Sequence, residues 1–449
     1  MKNNKVLLII GVVLMNLLVV FMIGKSLMGQ ETDYDVSLQE ARSLAEKELY
    51  SRAITAYEEA AEQEPSVELY LEMIEAYKKG ILSGEFSRAS SAISDAAEYV
   101  DKFPEDPALY EAVCALMMEY EEYEDCAELL QEANGRHVTS DGLKALIQQL
   151  RYLYDYSYSM YTQVMPESGS LYVVERDGVY SYLDENGASE LDDGFTFATP
   201  FGNGYAYVRI MSPDGTEKHV VITSEGERYS YLTDIETSSG VGAAKDAEGE
   251  TLLLLACKSG ETYSYYNIEG EKVFGSYAFA GRFRNNVAAV KETNGQWKLI
   301  DGSGNQIVNK TFTDVALNEL DECAPKGVIF AQEGGKYSMY DPYGERIGSF
   351  TCDGAKPFVD QYAAFKQGQQ WGYVDMEGNV VIQPQYTDAK SFSNKLAAVR
   401  TEAGWVCIDP QNQVVINEVF EDVLYLTDAG LCFVKTEGFW SCLEMYYTD

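Results

Sequence analysis

Leu396-Ala397-Ala398-Val399-Arg400, Trp405-Val406-Cys407-Ile408-Asp409 and Val414-Val415-Ile416 are three short apolar runs divided by two turn clusters, Glu402–Gly404 and Pro410–Asn412. Apolar runs of this length between Gly-, Asn- and Pro-bearing turns predict antiparallel hairpins. Working outward, the same order recurs along the C-terminal two-thirds of the chain. An aromatic, or a residue in its place, is followed seven positions later by a turn residue. The pairs are Tyr180/Gly187, His219/Gly226, Tyr263/Gly270, Trp297/Gly304, Tyr337/Gly344, Trp371/Gly378 and Trp405/Asn412, and Trp440 begins an eighth unit. Self-similarity at ~35–45 residues signals a repeat array. Gly or Asn takes positive φ cheaply and keeps each turn tight. The aromatic is expected to fill the layer between neighbouring units.

Upstream the period changes. From about Asp35 to Thr162 apolar residues recur at helical spacing, as in Leu44, Tyr50, Ala53, Ile54, Tyr57, Ala60 and Ala61, with Pro65 and Pro104 as breakers. A terminal helix is predicted from Asp141 to about Thr162. Residues 166–170 are a linker, because Pro166 breaks the helix and small turn residues follow.

The N-terminus carries a membrane signal. Val6 to Gly24 is uncharged and apolar apart from Asn16. Its length, about 28 Å as a helix, matches the hydrocarbon thickness. Lys2 and Lys5 precede it, and Glu31, Asp33 and Asp35 follow soon after Lys25. The positive-inside rule then leaves residues 1–5 in the cytoplasm and the bulk of the chain outside. Residues 25–34 form a tether.

The formal net charge is −38, from 72 acidic and 34 basic residues. Such a field repels phosphate backbones and excludes nucleic acid as a partner. It favours solubility and cationic partners. The eight cysteines have irregular spacings without CxxC, and only His137 and His219 are present. No metal site is expected. Disulfides are permitted on the oxidising side of a membrane, with Cys407 and Cys442 on neighbouring units, and buried free thiols in a strand core are the equal alternative.

The helical part resembles a tetratricopeptide array. Ala53, Tyr57, Ala60 and Pro65 stand at the small, aromatic, small and proline positions of a second repeat helix. Ala92, Ala96, Tyr99 and Pro104 repeat the spacing, and Cys126, Leu130 and Ala133 follow it again. The resemblance implies about three units over residues 35–165. It also implies a peptide-holding inner face lined by Arg42, Glu72, Lys79 and Glu111.

The β part resembles the WG repeat family. Ala363-Ala364-Phe365, Trp371-Gly372-Tyr373-Val374-Asp375, Glu377-Gly378 and Val380-Val381-Ile382-Gln383-Pro384-Gln385-Tyr386 lie close to its consensus. Only Trp371-Gly372 keeps both name-giving residues. The resemblance implies an all-β repeat domain over residues 171–449, often on bacterial surface or periplasmic proteins, and implies no activity. The structural anchors are Trp297, Gly304, Tyr337, Gly344, Trp371, Gly372, Gly378, Trp405 and Trp440.

The fold class expected is α+β multidomain: a transmembrane helix at 6–24, a tetratricopeptide-like array, then a propeller-like domain of seven to eight units. An open β-solenoid is the alternative. The strands within Leu171–Asp184 and Cys432–Cys442 are expected to close the ring, removing exposed sheet edges. No catalytic triad, P-loop, zinc or dinucleotide motif occurs, so no enzyme activity and no cofactor are expected. The function expected is a membrane-anchored extracytoplasmic scaffold for protein partners. A cell-wall or glycan-binding module is the alternative, and a glycan-active enzyme the remotest reading.

Overall fold

A computed structural model describes residues 32–166, 171–184 and 187–448. The expected tail at 1–5, the membrane span at 6–24, most of the tether and all but Pro166 of the linker lie outside the described residues. Among those described, no helix is long and apolar enough to cross a membrane. The chain divides into two compact units at Arg151/Tyr152.

Among its described residues the first unit contains three helix hairpins: Asp33–Glu46 with Tyr50–Ala61, Val67–Ser83 with Ala89–Ala97, and Pro107–Glu119 with Tyr123–Gly135. A seventh helix, Asp141–Leu150, follows. Local chemistry sets their ends. Thr32 and Asp35 form a reciprocal capping box, and the Ser66 and Ser140 hydroxyls accept from Leu69 N and Leu143 N. Gly84 closes the third helix at φ +77°. The small residues Ala53, Ala60, Ala92, Ala96, Cys126 and Ala133 are all buried, with Tyr57, Tyr99 and Leu130 between them.

The second unit is an eight-bladed β-propeller. Seven blades follow in chain order, from the sheet containing Tyr172–Arg176 to the one ending in Val414–Phe420. Each sheet has four strands except the fourth, where isolated bridges at Gln306 and Phe312 stand in for the outer strand. The eighth blade joins Asp422–Leu426, Leu431–Thr436 and Phe439–Met445 to an outer strand from far upstream, Tyr154–Tyr161. Tyr154 pairs with Met445, Tyr156 with Leu443 and Tyr161 with Trp440. Eight apolar clusters each draw on two consecutive blades. The last joins Tyr172, Val174 and Leu183 to Leu431, Phe433 and Trp440, so the ring is closed and the solenoid alternative falls.

Two expectations are corrected. The helix predicted from Asp141 to about Thr162 ends at Leu150. Tyr154-Asp155-Tyr156-Ser157-Tyr158-Ser159-Met160-Tyr161 alternates large and small side chains, a period of two that suits a strand at a sheet edge. Ring closure therefore uses this segment and not Leu171–Asp184, whose strands pair with each other inside the first blade.

Every turn residue of the seven pairs has positive φ, from Gly187 at +73° to Asn412 at +63°. A second constraint acts on these glycines other than Gly187, because the preceding blade presses on them. A Cβ on Gly378 would stand 2.9 Å from Phe350 Cβ, and one on Gly304 2.8 Å from the Phe274 ring. Gly344 faces Val308 in the same way. Where Asn412 replaces glycine, Tyr386 Oη meets its Oδ1 at 2.5 Å. Trp297, Tyr337, Trp405 and Trp440 are buried between blades, and Trp371 is half-buried. Lysines lie over the indoles, as Lys356 does 5.0 Å above Trp371. Gly372 fits because Pro384 crosses there, with its nitrogen 2.7 Å from where a Cβ would be.

Candidate functional site

The first two strands of each blade are joined by a loop near the ring centre. Three of these loops end in two-residue turns with both φ values positive: Asn203-Gly204, Asn285-Asn286 and Asn394-Lys395. Paired bridges at Gly202/Tyr205, Arg284/Val287 and Ser393/Leu396 close them. This is the turn geometry that Asn-Gly-type pairs favour. Beneath each loop a phenylalanine is buried: Phe201, Phe283 and Phe392, with Phe358 at the equivalent point of the sixth blade.

A tyrosine of the preceding blade then fixes the loop base. Tyr182 donates to Thr199 O at 2.8 Å, Tyr265 to Gly281 O at 2.7 Å and Tyr373 to Lys390 O at 2.9 Å. Burial drives all three phenols well above their ordinary pKa, so they stay protonated donors. Each stands two residues after a repeat anchor. That position, read down the units, was the available sequence signal for these residues, and it was missed.

The fifth blade departs from the pattern. Its loop runs from 316 to 327 and carries Asn318, Glu319, Asp321, Glu322 and Lys326. Asn318 Oδ1 accepts from Leu320 N and Glu322 N, which shapes the turn. Tyr425 of the eighth blade donates to the Glu319 carboxylate at 3.1 Å, tying blades three apart in the ring. Asp321 O accepts from Arg282 N at 3.0 Å. Burial raises the Asp321 carboxyl to about 6.

Arg282 is the central charged group of this face and is 3% exposed. Its Nη2 donates to Phe201 O at 3.0 Å, two blades away. Its Nε stands 3.6 Å from Glu322 Oε1, which is ion-pair range but too long for a hydrogen bond. Nε and Nη1 have no hydrogen-bond partner among the described residues. Burial lowers the Arg282 pKa, opposed by Glu322. The room for this side chain comes from two glycines. A Cβ on Gly242 would stand 3.0 Å from Arg282 Cγ, and one on Gly202 2.5 Å from its Nη2. A buried donor left unmade costs about 1–3 kcal/mol, so the position is a poor purely structural solution.

Around Arg282 lies a cavity of about 1200 Å³, lined also by Lys245, Arg284, Lys326, Pro342 and Tyr343. A second one of about 380 Å³ adjoins it, sharing Arg284, Glu322 and Lys326 and adding Glu319, Asp360 and Asp428. Together they form a groove on the face that bears the loops. The turns between third and fourth strands open on the same face, because antiparallel strands alternate in direction. This brings Tyr343, which is 77% exposed, to the rim.

The residues expected to line the helical inner face are engaged with neighbours. Arg42 makes a two-pronged contact with Glu72, at 2.9 and 2.5 Å, and Tyr57 donates to the same carboxylate at 3.0 Å. Lys79 pairs with Glu75 at 3.3 Å. Glu111 accepts from the Ser140 hydroxyl and lies against Gly142. Arg42 and Glu72 come together; Lys79 and Glu111 do not join them. All eight cysteines are buried free thiols. His219 is held by Tyr207 at 2.6 Å. Among the described residues no group of His, Cys, Asp and Glu is arranged to hold a metal.

The family model of the WG containing repeat matches residues 371–405, from the third strand of the sixth blade to that of the seventh. No curated protein matches the chain. Among solved structures, the chain is similar to BamB from Moraxella catarrhalis at 13% identity and a TM-score of 0.39, over 65% of this chain and 99% of that one. It is also similar to PorZ, an essential bacterial surface component of the type-IX secretion system of Porphyromonas gingivalis. That match has 11% identity and a TM-score of 0.31, over 63% of this chain and 42% of that one.

Proposed function

We propose that the chain is a membrane-anchored, extracytoplasmic scaffold that holds a protein partner on the groove-bearing face of its propeller, and that it is not an enzyme. The observation that carries this reading is the groove of about 1200 Å³. Two of its wall loops, at 201–204 and 282–286, are fixed at their bases by the buried hydroxyls of Tyr182 and Tyr265, and its rim presents an exposed aromatic. Rigid loops bind without an ordering penalty, and an exposed tyrosine is a favoured anchor at protein interfaces. The volume exceeds the ~300–1,000 Å³ of ordinary small-molecule pockets. The helical hairpins, read as tetratricopeptide-like, offer a second contact region. Residues 6–24 supply the anchor, and Lys2 and Lys5 keep the short tail in the cytoplasm.

Proximity labelling from the C-terminus of the full chain in intact cells tests both parts. Extracytoplasmic protein neighbours are expected, reduced by Tyr343→Ala. Cytosolic neighbours alone would overturn the orientation, and an absence of protein neighbours would overturn the scaffold.

A further inference from the structure

Resting on the reading of this groove as a protein-contact surface, we infer that its occupant is an acidic peptide segment whose carboxylates meet Arg282, Arg284 and Lys326 and whose apolar side chains lie on Pro342 and Tyr343. The bulk charge of −38 points toward cationic partners, and the larger cavity is a local exception to it, with Lys245, Arg282, Arg284 and Lys326 against Asp301 and Glu322. Arg284 and Lys326 are exposed and line both adjoining cavities, and their side chains make no hydrogen bond or ion pair among the described residues. Arg282 stands two residues before Arg284 and adds a buried guanidinium whose Nη1 is unpartnered among the described residues.

The carboxylates of the larger cavity are already engaged. Asp301 accepts from Ser303 N and Asn305 N within its own turn. Glu322 Oε2 accepts from Asn318 Nδ2 at 3.1 Å, while its other oxygen faces Arg282. Positive charge is therefore in surplus where the loops converge. A guanidinium with free N–H groups in a preformed slot matches a carboxylate in geometry as well as sign.

The form of the surface selects a peptide over an acidic glycan. A polyanionic sugar carries charge along its whole length and would meet Glu319, Asp360 and Asp428 in the adjoining cavity. A peptide places its acids only where the cations stand and gives apolar side chains to Pro342 and Tyr343.

The test uses the full chain in mild detergent, with fluorescence anisotropy on a short labelled peptide of alternating glutamate and leucine. Its glutamine counterpart and a hyaluronate oligosaccharide serve as comparisons. The glutamate peptide is expected to bind at least about tenfold more tightly than the glutamine one, the scale of one charge-assisted contact. Arg284→Gln with Lys326→Gln should remove that preference, and Arg282→Lys should weaken it. If Arg282→Lys fails to fold, the exposed pair still decides. Equal binding of the two peptides, indifference to the double variant, or hyaluronate binding that depends on Arg284 without peptide binding would each overturn the inference. A partner found by proximity labelling and still held by the double variant would sink this inference and leave the scaffold standing.

Discussion

The helical hairpins and the propeller blades are both built by repetition, yet the helical surface and the ring centre place cations differently. On the helices, several basic side chains find acids on a neighbouring turn or helix: Arg42 with Glu72, Lys78 with Glu119, Arg136 with Asp101 and Glu132. These pairs are largely exposed and contribute little individually. In the propeller, the central face buries one arginine in a slot of glycines and leaves two more cations unmatched. A helix surface offers partners at i+3 and i+4 wherever the chain is acidic. A ring centre assembles side chains from several blades, and their matching depends on tertiary placement alone. A surplus at such a point needs an explanation that a surface pair does not.

The two regions also separate experimentally, because all four tryptophans lie in the propeller. Indole fluorescence during denaturation follows the blades, while the far-ultraviolet dichroism at the helical minimum follows the hairpins. The largest effect is expected from Trp405→Ala. Its ring fills the layer between the seventh and eighth blades with Phe420, Val423 and Leu443. Its loss should lower propeller stability by about 3–5 kcal/mol and leave the helical transition in place. Movement of both transitions together would break the comparison. Next comes Gly378→Ala, where positive φ and contact with Phe350 act together, at about 2–3 kcal/mol. Gly334→Ala has positive φ but open space around it, so a cost of about 1 kcal/mol isolates the contribution of the contact.

The blades were legible because their information is local. An anchor such as Trp371 and a turn such as Asp375–Gly378 lie within one hairpin, and period-two runs announce the strands. The closing strand was not legible in the same way. Tyr154–Tyr161 pairs with Trp440–Met445, at the far end of the chain, and its neighbourhood is helical, so continuing the helix was the local choice. The groove escaped for a related reason. Phe201, Gly242, Arg282 and Glu322 belong to separate blades, and nothing in the spacing of single residues says that they meet. Of the helical positions carried over from the resemblance, Arg42 and Glu72 meet with Tyr57 across three successive helices, while Lys79 pairs with Glu75 on its own helix. The contacts between helices appear only once the hairpins pack.

A smaller effect probes the propeller centre through pH. Burial lifts Asp321 from 3.8 to about 6 in the folded protein. The fold therefore binds a proton that the unfolded chain releases between these values. Its contribution to stability is full below about pH 4 and is lost as pH rises through 6. Asp321→Asn keeps the backbone carbonyl that Arg282 N uses, and asparagine tolerates the φ of +61° at this position. The variant should match the wild type near pH 4 and exceed it by on the order of 2 kcal/mol at pH 7.5, read by indole fluorescence. An unchanged difference across that range would mean that Asp321 is better solvated than its position implies.

The smallest effect belongs to the helices and sets the floor of the comparison. Glu72 has its pKa lowered chiefly by the hydrogen bonds from Arg42, opposed by burial and aided by Tyr57. Arg42 is 54% and Glu72 32% exposed at their side chains, so solvent screens most of the attraction. Arg42→Ala should cost about 0.5–1 kcal/mol in the helical transition and nothing in indole fluorescence. The sign with pH follows from the lowered carboxylate: the contribution is present at neutral pH and fades as acid protonates Glu72 below its ordinary range. A larger loss, persisting in strong acid, would show that the arginine stem packs the first two hairpins together and that its charge is incidental. The contrast between paired helical cations and the unmatched cations of the ring would then rest on Glu72 and Tyr57 alone, and Tyr57→Phe, which removes one donor and no packing, would measure what remains of it.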